Sequence, residues 1–340
     1  MEPTAVPGPE ATGAPPQGRR TPRRLRALLA LLITACVVFP LSAAARPRIP
    51  APAPAALPPL TATTLDTVYA ANRANAAQAS RMAAGHGDRH RAEADRDLAA
   101  ASRQLLAFDG RGTGRAVEVF GDLTRADRVA VLVPGSDTTL DTYDRFRATA
   151  TALHHRLSTE DTDAATRVAV VAWLGYDTPG TVGTAVLTPG RADEAAPRLS
   201  EFLRGLYALT GRDTRVSLLC HSYGSVVCAR AAARGGPPVA DIALLGSPGT
   251  GADSAAALRT RARIWAARGG GDWVAEVPHV RADLFGTTVG FGTDPVSPEF
   301  GARVFAAGDG GHSDYFTPGS ASLANLARIV LGETSEVTRA

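Results

Sequence analysis

The chain contains no lysine, so all 36 of its basic residues are arginine. Its net charge of +3 comes from one end, because five arginines and two glutamates precede residue 45, which leaves 31 basic and 31 acidic residues in the rest of the chain. A body without net charge has no electrostatic footprint for nucleic acid, and we expect no such partner. No internal repeat is visible, and 45% hydrophobic residues in 340 suffice for one large α/β core.

The apolar run near the N-terminus is too short to span a membrane readily. It covers residues 27–39, and a helix of that length rises about 20 Å, whereas the hydrocarbon core is about 30 Å thick. An arginine cluster precedes the run, and Pro40 and the small residues 42–45 follow it. This order predicts an export signal cleaved after Ala45. We expect a secreted or cell-envelope protein, with an uncleaved membrane anchor through residues 27–45 as the alternative.

Two other interpretations of this segment are weaker. Residues 33–36 resemble a lipobox, in which Cys36 would be lipidated and tether the chain, but the apolar run continues past Cys36 where a lipoprotein normally turns polar. Arg23 and Arg24 resemble a twin-arginine signal, but Arg26 stands where that motif has an apolar residue.

Composition divides the remaining chain into three parts. Residues 46–62 are rich in proline and alanine and predict a semi-rigid linker. Residues 63–110 predict a helical lead-in of one or two helices as far as about Leu106, and residues 111–335 form the expected main domain. His86 and His90 have the spacing of two ligands on a helix face, but no third ligand is near, so we expect a solvated helix edge and no metal site.

Short β-branched runs alternate with helical stretches from residue 115 onward. Several runs (VAVLV, VAVVAW, VSLL, IALL) are continuously apolar, which is typical of strands buried on both faces. The pattern predicts the α/β class: a mostly parallel, doubly wound sheet with flanking helices. The expected strands are 116–120, 128–133, 167–173, 215–219, 240–245, 262–266 and 302–306; the expected helices are 141–156, 192–210, 225–234, 254–258 and 320–331.

The sequence Leu-Leu-Cys-His-Ser-Tyr-Gly-Ser over residues 218–225 places a serine between a strand and a helix. This is the context of the G-x-S-x-G nucleophile elbow of α/β hydrolases, with Cys220 in place of the first glycine. A small residue is needed there because strand and helix approach closely. Ser222 is therefore the expected nucleophile, and an ordinary helix-capping serine is the alternative.

The loop after the strand 128–133 has the sequence Pro-Gly-Ser. In this fold such a loop supplies one donor to the oxyanion hole, and the residue after the nucleophile supplies the other. We assign these donors to the backbone N–H groups of Ser136 and Tyr223. A plain turn is the alternative for the loop.

The general base and its acid partner must follow the serine in the order Asp or Glu, then His. Of the seven histidines, His312 alone combines this order with a glycine-rich loop after a strand. For the acid, Asp272 follows a strand and three glycines, a position from which a carboxylate can orient an imidazole. The rival acids are Asp294, Asp309 and Asp314.

Cys220 and Cys228 are the cysteines that remain once the export signal is cleaved. An exported chain meets an oxidising compartment. The strand before Ser222 and the helix after it fold back on each other, which brings both cysteines to one level. We expect a Cys220–Cys228 disulfide, and two buried free thiols are the alternative.

Several spaced motifs, VAVLVPGSDTTLDTY, VAWLGYDTP, LLCHSYGSVVCARAA, GFGTDP and GDGGHSDYF, together resemble an actinobacterial α/β-hydrolase family catalogued as a domain of unknown function. The resemblance covers about residues 103–331. It implies the α/β-hydrolase fold and the catalytic roles of Ser222, Asp272 and His312. It implies no substrate.

These features predict hydrolysis of a small or lipid-like carboxylic ester through an acyl-enzyme, without metal or organic cofactor. An amidase or peptidase on the same fold is one alternative. A catalytically idle fold that serves as a cell-envelope binding module is another, although an idle fold has no reason to keep all three residues. Gly110–Gly114 precedes a strand instead of following one, which is the wrong place for a dinucleotide-binding loop. Trp173, Tyr176, Tyr223 and Trp273 are the aromatic candidates for the pocket lining.

Overall fold

A computed structural model describes residues 49–160, 166–284 and 287–340. Residues 49–340 form a single unit. None of the helices in the described part is long and apolar enough to cross a membrane. The expected export segment, with Cys36 and the cleavage position at Ala45, lies outside the described residues.

An eight-stranded sheet forms the centre of the domain, in the strand order β1-β2-β4-β3-β5-β6-β7-β10. The first two strands run antiparallel to their neighbours, and β4, β3, β5, β6, β7 and β10 are mutually parallel. Strands β8 and β9 form a separate antiparallel hairpin. The strands are β1 Gln104–Asp109, β2 Arg115–Phe120, β3 Arg128–Val133, β4 Val168–Leu174, β5 Arg215–His221, β6 Asp241–Leu245, β7 Arg263–Ala267, β8 Ala282–Leu284, β9 Thr287–Val289 and β10 Arg303–Val304.

The continuous apolar runs are explained by burial on both faces of the sheet. In β3, Val129, Val131 and Val133 face one hydrophobic cluster, and Ala130 and Leu132 face the other. All five are at most 1% exposed. Since successive side chains of a strand point to opposite faces, a strand between two apolar layers has no position for a polar residue. The predicted parallel α/β architecture is confirmed.

Helices cover both faces of the sheet. They are α1 Leu65–His86, α2 Arg89–Leu98, α3 Tyr143–Glu160, α4 Gly190–Thr210, α5 Gly224–Ala233 and α6 Ala321–Leu331. Helices α4 and α5 pack on one side of the sheet, and α3 and α6 pack on the other. Helix α1 ends where Gly87 adopts φ +90°, a left-handed conformation that glycine adopts at little cost.

The structure corrects the sequence analysis at three places. Helical lead-in was expected as far as Leu106 and the main domain from residue 111, but Gln104–Asp109 is strand β1 and pairs with β2. The helix expected at 254–258 is a single 3₁₀ turn, Ala256–Leu258, and the strand expected at 302–306 has only two residues. In the first case the partner strand, which only the folded chain supplies, decides between helix and strand.

Candidate active site

Ser222 stands in a tight turn between β5, which ends at His221, and α5, which begins at Gly224. Its φ is +52°, a conformation that costs a residue with a Cβ about 1–3 kcal/mol. The turn is held by its neighbours: the Ser222 N–H donates to the carbonyl of Leu245 at the end of β6, at 2.8 Å. This is the strained strand–turn–helix elbow that presents a serine side chain above the sheet.

Close packing explains the small residues of the motif. A Cβ on Gly224 would lie 2.5 Å from the carbonyl oxygen of Val133 and 2.7 Å from that of Pro134, so no larger residue fits where helix meets strand. On the other side of Ser222, Cys220 is fully buried and is bonded to Cys228, with 6.5 Å between the Cα atoms. The expected disulfide is confirmed, and it links strand to helix directly beside the elbow.

Asp272 and His312 meet although 40 residues separate them. Asp272 follows β7 and His312 follows β10, and Nδ1 of His312 lies 2.9 Å from Oδ1 of Asp272. The Asp272 side chain is fully buried, whereas 13% of the His312 side chain is exposed. An ionised carboxylate only accepts, so Nδ1 carries the hydrogen and Nε2 is left as the free basic nitrogen of His312.

Three donors keep the Asp272 carboxyl ionised. Its burial alone would raise the pKa, but hydrogen bonds from His312, from the Tyr315 hydroxyl and from the Val274 N–H lower it to about 2. The Tyr315 hydroxyl donates to Oδ2 of Asp272 and accepts from the Gly269 N–H at 3.1 Å. Asp272 is therefore an anion at any physiological pH.

Each of the rival acids has contacts of its own: Asp294 pairs with an arginine, and Asp309 and Asp314 belong to the loop that carries His312. Asp294 pairs with Arg268 at 2.6 Å, away from His312. Asp314 accepts from the Gly311 N–H at 2.8 Å and thereby closes the turn that carries His312. Asp309 lies against Gly270, on the side of the loop that faces the glycines before Asp272.

Ser222, His312 and Ser136 line one cavity of about 320 Å³. Gly135 brings the loop after β3 against the elbow: a Cβ there would lie 2.6 Å from the Ser222 Cβ and 3.2 Å from its Oγ. The site residues predicted from four separate regions of the sequence thus converge at the carboxyl ends of β3, β5, β7 and β10, with Tyr223 next to Ser222.

The aromatic candidates mostly belong to the core. Trp173, Tyr176 and Tyr223 are at most 2% exposed, and none of them lines the cavity. Tyr176 supports the cavity from behind, since its hydroxyl donates to the Pro134 carbonyl at 2.7 Å. Trp273 is 52% exposed and packs against the His312 ring at 4.7 Å between centroids. The aromatic rings that do line the cavity are Phe146, Tyr315 and Phe316.

His221 also belongs to the site, although the sequence motifs assigned it no role. Its Nε2 lies 2.6 Å from the carbonyl oxygen of His312, and the two imidazole rings are 4.7 Å apart. Burial, and then the proximity of His312, lower the pKa of His221 to about 4. Its position directly before the expected nucleophile was the available signal.

Among the described residues, no group of three or more His, Cys, Asp or Glu side chains is arranged to hold a metal ion. His86 is exposed at the end of α1, and His90 is exposed in the first turn of α2.

Comparison with known protein families agrees with this fold. A family model described as "Alpha/beta hydrolase" matches residues 109–282, which is half of the chain. The chain belongs to the alpha/beta hydrolase family. The matched part contains Ser222 and Asp272 and ends before His312.

Two mycobacterial proteins are similar in sequence to this alpha/beta hydrolase. The uncharacterized protein Rv2079 of Mycobacterium tuberculosis is 32% identical over an alignment of 257 positions, which covers 67% of this chain and 38% of that protein. The uncharacterized protein Mb0988c of Mycobacterium bovis is 38% identical over an alignment of 163 positions, which covers 45% of this chain and 56% of that protein. The chain thus spans about half or less of the length of these relatives.

Solved structures of hydrolases are similar in fold. Esterase PE8 has a TM-score of 0.42 and 18% identity, with 64% of this chain and 97% of that chain covered. A dienelactone hydrolase from Anabaena variabilis has a TM-score of 0.40 and 16% identity, with 66% and 93% covered. Neither likeness bears on what this chain hydrolyses.

Proposed function

We propose that this member of the alpha/beta hydrolase family is a serine hydrolase that cleaves carboxylic esters through an acyl-enzyme on Ser222. One observation carries the proposal: a buried, ionised Asp272 holds His312 at 2.9 Å, and His312 lines the same cavity as Ser222 on its strained elbow. Nucleophile, base and acid in this arrangement form a charge-stabilised triad.

The reaction begins when Oγ of Ser222 attacks the carbonyl carbon of the ester. Nε2 of His312 takes the serine proton, and the N–H groups of Ser136 and Tyr223 stabilise the negative charge that develops on the carbonyl oxygen. The tetrahedral intermediate collapses, and the proton passes from His312 to the departing alcohol. A water molecule then attacks the acyl-enzyme by the same steps, which releases the carboxylic acid and restores Ser222.

Asp272 does not itself take a proton in this cycle. Its role is to fix the His312 tautomer with the hydrogen on Nδ1, and to stabilise the imidazolium that forms when His312 accepts the serine proton. The pKa of about 2 suits this role, because a carboxylate that stays ionised stabilises the positive charge on His312 at every working pH.

The cavity favours a small ester. Its volume of about 320 Å³ is at the lower end of the roughly 300–1,000 Å³ of small-molecule sites. Leu132, Phe146, Leu219 and Phe316 provide its apolar wall, which suits an acyl chain. Lipid-like esters remain the alternative, as does an amide or peptide bond cleaved by the same residues. An idle fold acting as a binding module is the alternative of a different class.

Labelling with a fluorophosphonate separates the enzyme from the idle fold. We expect the wild type to be labelled and to hydrolyse p-nitrophenyl acetate, and Ser222→Ala to lose both, with turnover reduced by several orders of magnitude. Thr149→Ala is the matched control, because it also removes a hydroxyl that lines the cavity, but Thr149 lies in α3 and takes no part in the mechanism. A Ser222→Ala protein with unchanged turnover would refute the proposal.

Export is part of the proposal. The Cys220–Cys228 disulfide supports it, since disulfides persist in oxidising compartments. Mass spectrometry of the protein from its native host is expected to find a mature N-terminus at Arg46. A chain that begins at a lipidated Cys36, or one retained whole in the membrane, would contradict cleavage after Ala45 and favour a membrane tether through residues 27–45.

A further inference from the structure

We propose that His221 is a positioning residue that holds the loop of His312 against the elbow of Ser222. The side chain of His221 spans the gap between the two: its Nε2 lies 2.6 Å from the main-chain oxygen of His312, 91 residues further along the chain. This inference rests on the proposed function, since it assigns a residue that sets the distance between nucleophile and base.

The loop that carries His312 has little regular structure to hold it. The preceding strand β10 has two residues, and the loop itself is rich in glycine. Its hydrogen bonds to the rest of the domain run mainly to the loop of the acid: the Gly270 N–H donates to the Gly308 carbonyl at 2.9 Å, and the Gly271 N–H to the Gly310 carbonyl at 3.3 Å. These contacts fix His312 relative to Asp272.

They do not fix His312 relative to Ser222. Among the hydrogen bonds of the described residues, the one from His221 alone connects residues 220–225 with residues 308–315. The imidazole ring of His221 also packs against the rings of His312 and Tyr315, at 4.7 and 5.7 Å between centroids. A single side chain, attached to the elbow one residue before Ser222, therefore couples the two halves of the site.

The protonation state of His221 suits this role. A carbonyl oxygen only accepts, so Nε2 of His221 carries the hydrogen and donates it. Burial keeps the ring neutral at physiological pH, with a pKa of about 4. A neutral ring does not oppose the positive charge that must form on His312 during acyl transfer, whereas a permanent cation at this distance would. An arginine or a charged histidine could supply the hydrogen bond but would disfavour the imidazolium.

Two substitutions separate the hydrogen bond from the rest of the side chain. In His221→Gln the amide N–H lies about where Nε2–H was, and in His221→Asn it is about one bond too short to reach. His279→Asn is the matched control: it is also a partly buried histidine whose Nε2 faces a carbonyl, that of Ser247 at 3.5 Å, but it does not contact His312.

With p-nitrophenyl acetate we expect His221→Asn to lower kcat about 10- to 100-fold, the usual effect of displacing a catalytic group by a fraction of an ångström to an ångström. KM should change by less than about threefold, because the cavity wall is otherwise intact. Fluorophosphonate labelling of Ser222 should slow in parallel. We expect His221→Gln to recover kcat to within about fivefold of the wild type, and His279→Asn to match the wild type. Non-reducing peptide maps and thermal unfolding establish that each variant is folded.

The outcomes are distinguishable. A wild type that is labelled at Ser222, together with a folded His221→Asn of unchanged kcat, would overturn the positioning role and leave the proposed function standing. Equal losses of kcat in folded His221→Gln and His221→Asn would also overturn it, since the loss would then not depend on the hydrogen bond. An unlabelled wild type would overturn both proposals. Nitrogen NMR of the imidazoles provides a readout apart from activity: hydrogen on Nδ1 of His221 instead of Nε2 would exclude the bond.

Discussion

A methyl group on Gly135 would lie 2.6 Å from the Cβ of Ser222, closer than side chains approach one another. The loop after β3 and the elbow after β5 are therefore in direct backbone-to-side-chain contact, and the next residue of the loop, Ser136, lines the same cavity as Ser222. Close approach here requires a residue without a Cβ.

Gly135→Ala is expected to lower kcat/KM for p-nitrophenyl acetate by at least about 100-fold, because either the loop or Ser222 must move. Gly205→Ala is the control: a Cβ there meets nothing within 4 Å, and the position lies inside α4, where alanine is favoured over glycine. Steady-state kinetics on both variants test this. Near-normal activity of Gly135→Ala would show that the contact yields without disturbing the site.

Asp272 and Asp294 both follow β7 in the chain, and substitution of each tests which of them is the acid of the triad. Asp272→Asn should lower kcat about 10³- to 10⁴-fold, because an amide favours the wrong His312 tautomer and does not stabilise an imidazolium. Asp294→Asn should affect turnover little, since Asp294 pairs with Arg268. Kinetics and thermal unfolding of the two variants distinguish them. A silent Asp272→Asn beside a damaging Asp294→Asn would reverse the assignment.

The disulfide is expected to contribute to stability. Cys220 and Cys228 are eight residues apart and fully buried, and closing so short a loop stabilises the folded state by about 2 kcal/mol. The double variant Cys220→Ala, Cys228→Ala should therefore have a free energy of unfolding lower by about that amount, and it should unfold at a lower denaturant concentration. Non-reducing peptide mapping of the wild type should find the two cysteines in one linked peptide. Two alkylatable thiols at these positions would contradict the bond.

Stability should depend on pH through His221. Burial, and then the neighbouring His312, lower its pKa from 6.5 to about 4, so on acidification the unfolded chain takes up a proton before the folded chain does. The contribution of the neutral ring to the free energy of unfolding is fully present above about pH 6.5. It is lost as the pH falls to about 4, which lowers the free energy of unfolding by up to about 3 kcal/mol. The corresponding loss for Asp272, whose pKa is lowered from 3.8 to about 2, falls below this window.

His221→Gln isolates the effect, because glutamine does not titrate and the other groups are shared. The wild type should lose about 2 to 3 kcal/mol relative to His221→Gln between pH 7 and pH 4.5. Urea unfolding at the two pH values measures the difference. A difference that does not change with pH would mean that His221 titrates normally in the folded protein.

Local sequence patterns determined much of this protein. The continuous apolar run of β3 and the strand–serine–helix order around Ser222 depend only on residues close together in the chain. So does the pairing of Cys220 with Cys228 across that same turn. A short apolar run bounded by turn residues has few alternatives, and a strand followed directly by a helix brings its own neighbours together. These features were therefore accessible without a structure.

Tertiary structure alone decided what depends on distant segments. Whether Asp272 or Asp294 faces His312 depends on how two loops after β7 and β10 cross, and no local pattern encodes a distance between them. Gln104–Asp109 is a strand because β2 pairs with it. The role of His221 depends on a hydrogen bond to a residue 91 positions away in the chain. Hydrogen bonds and burial act through space, whereas sequence patterns record only neighbours along the chain, so contacts between distant loops emerge only when the chain is folded.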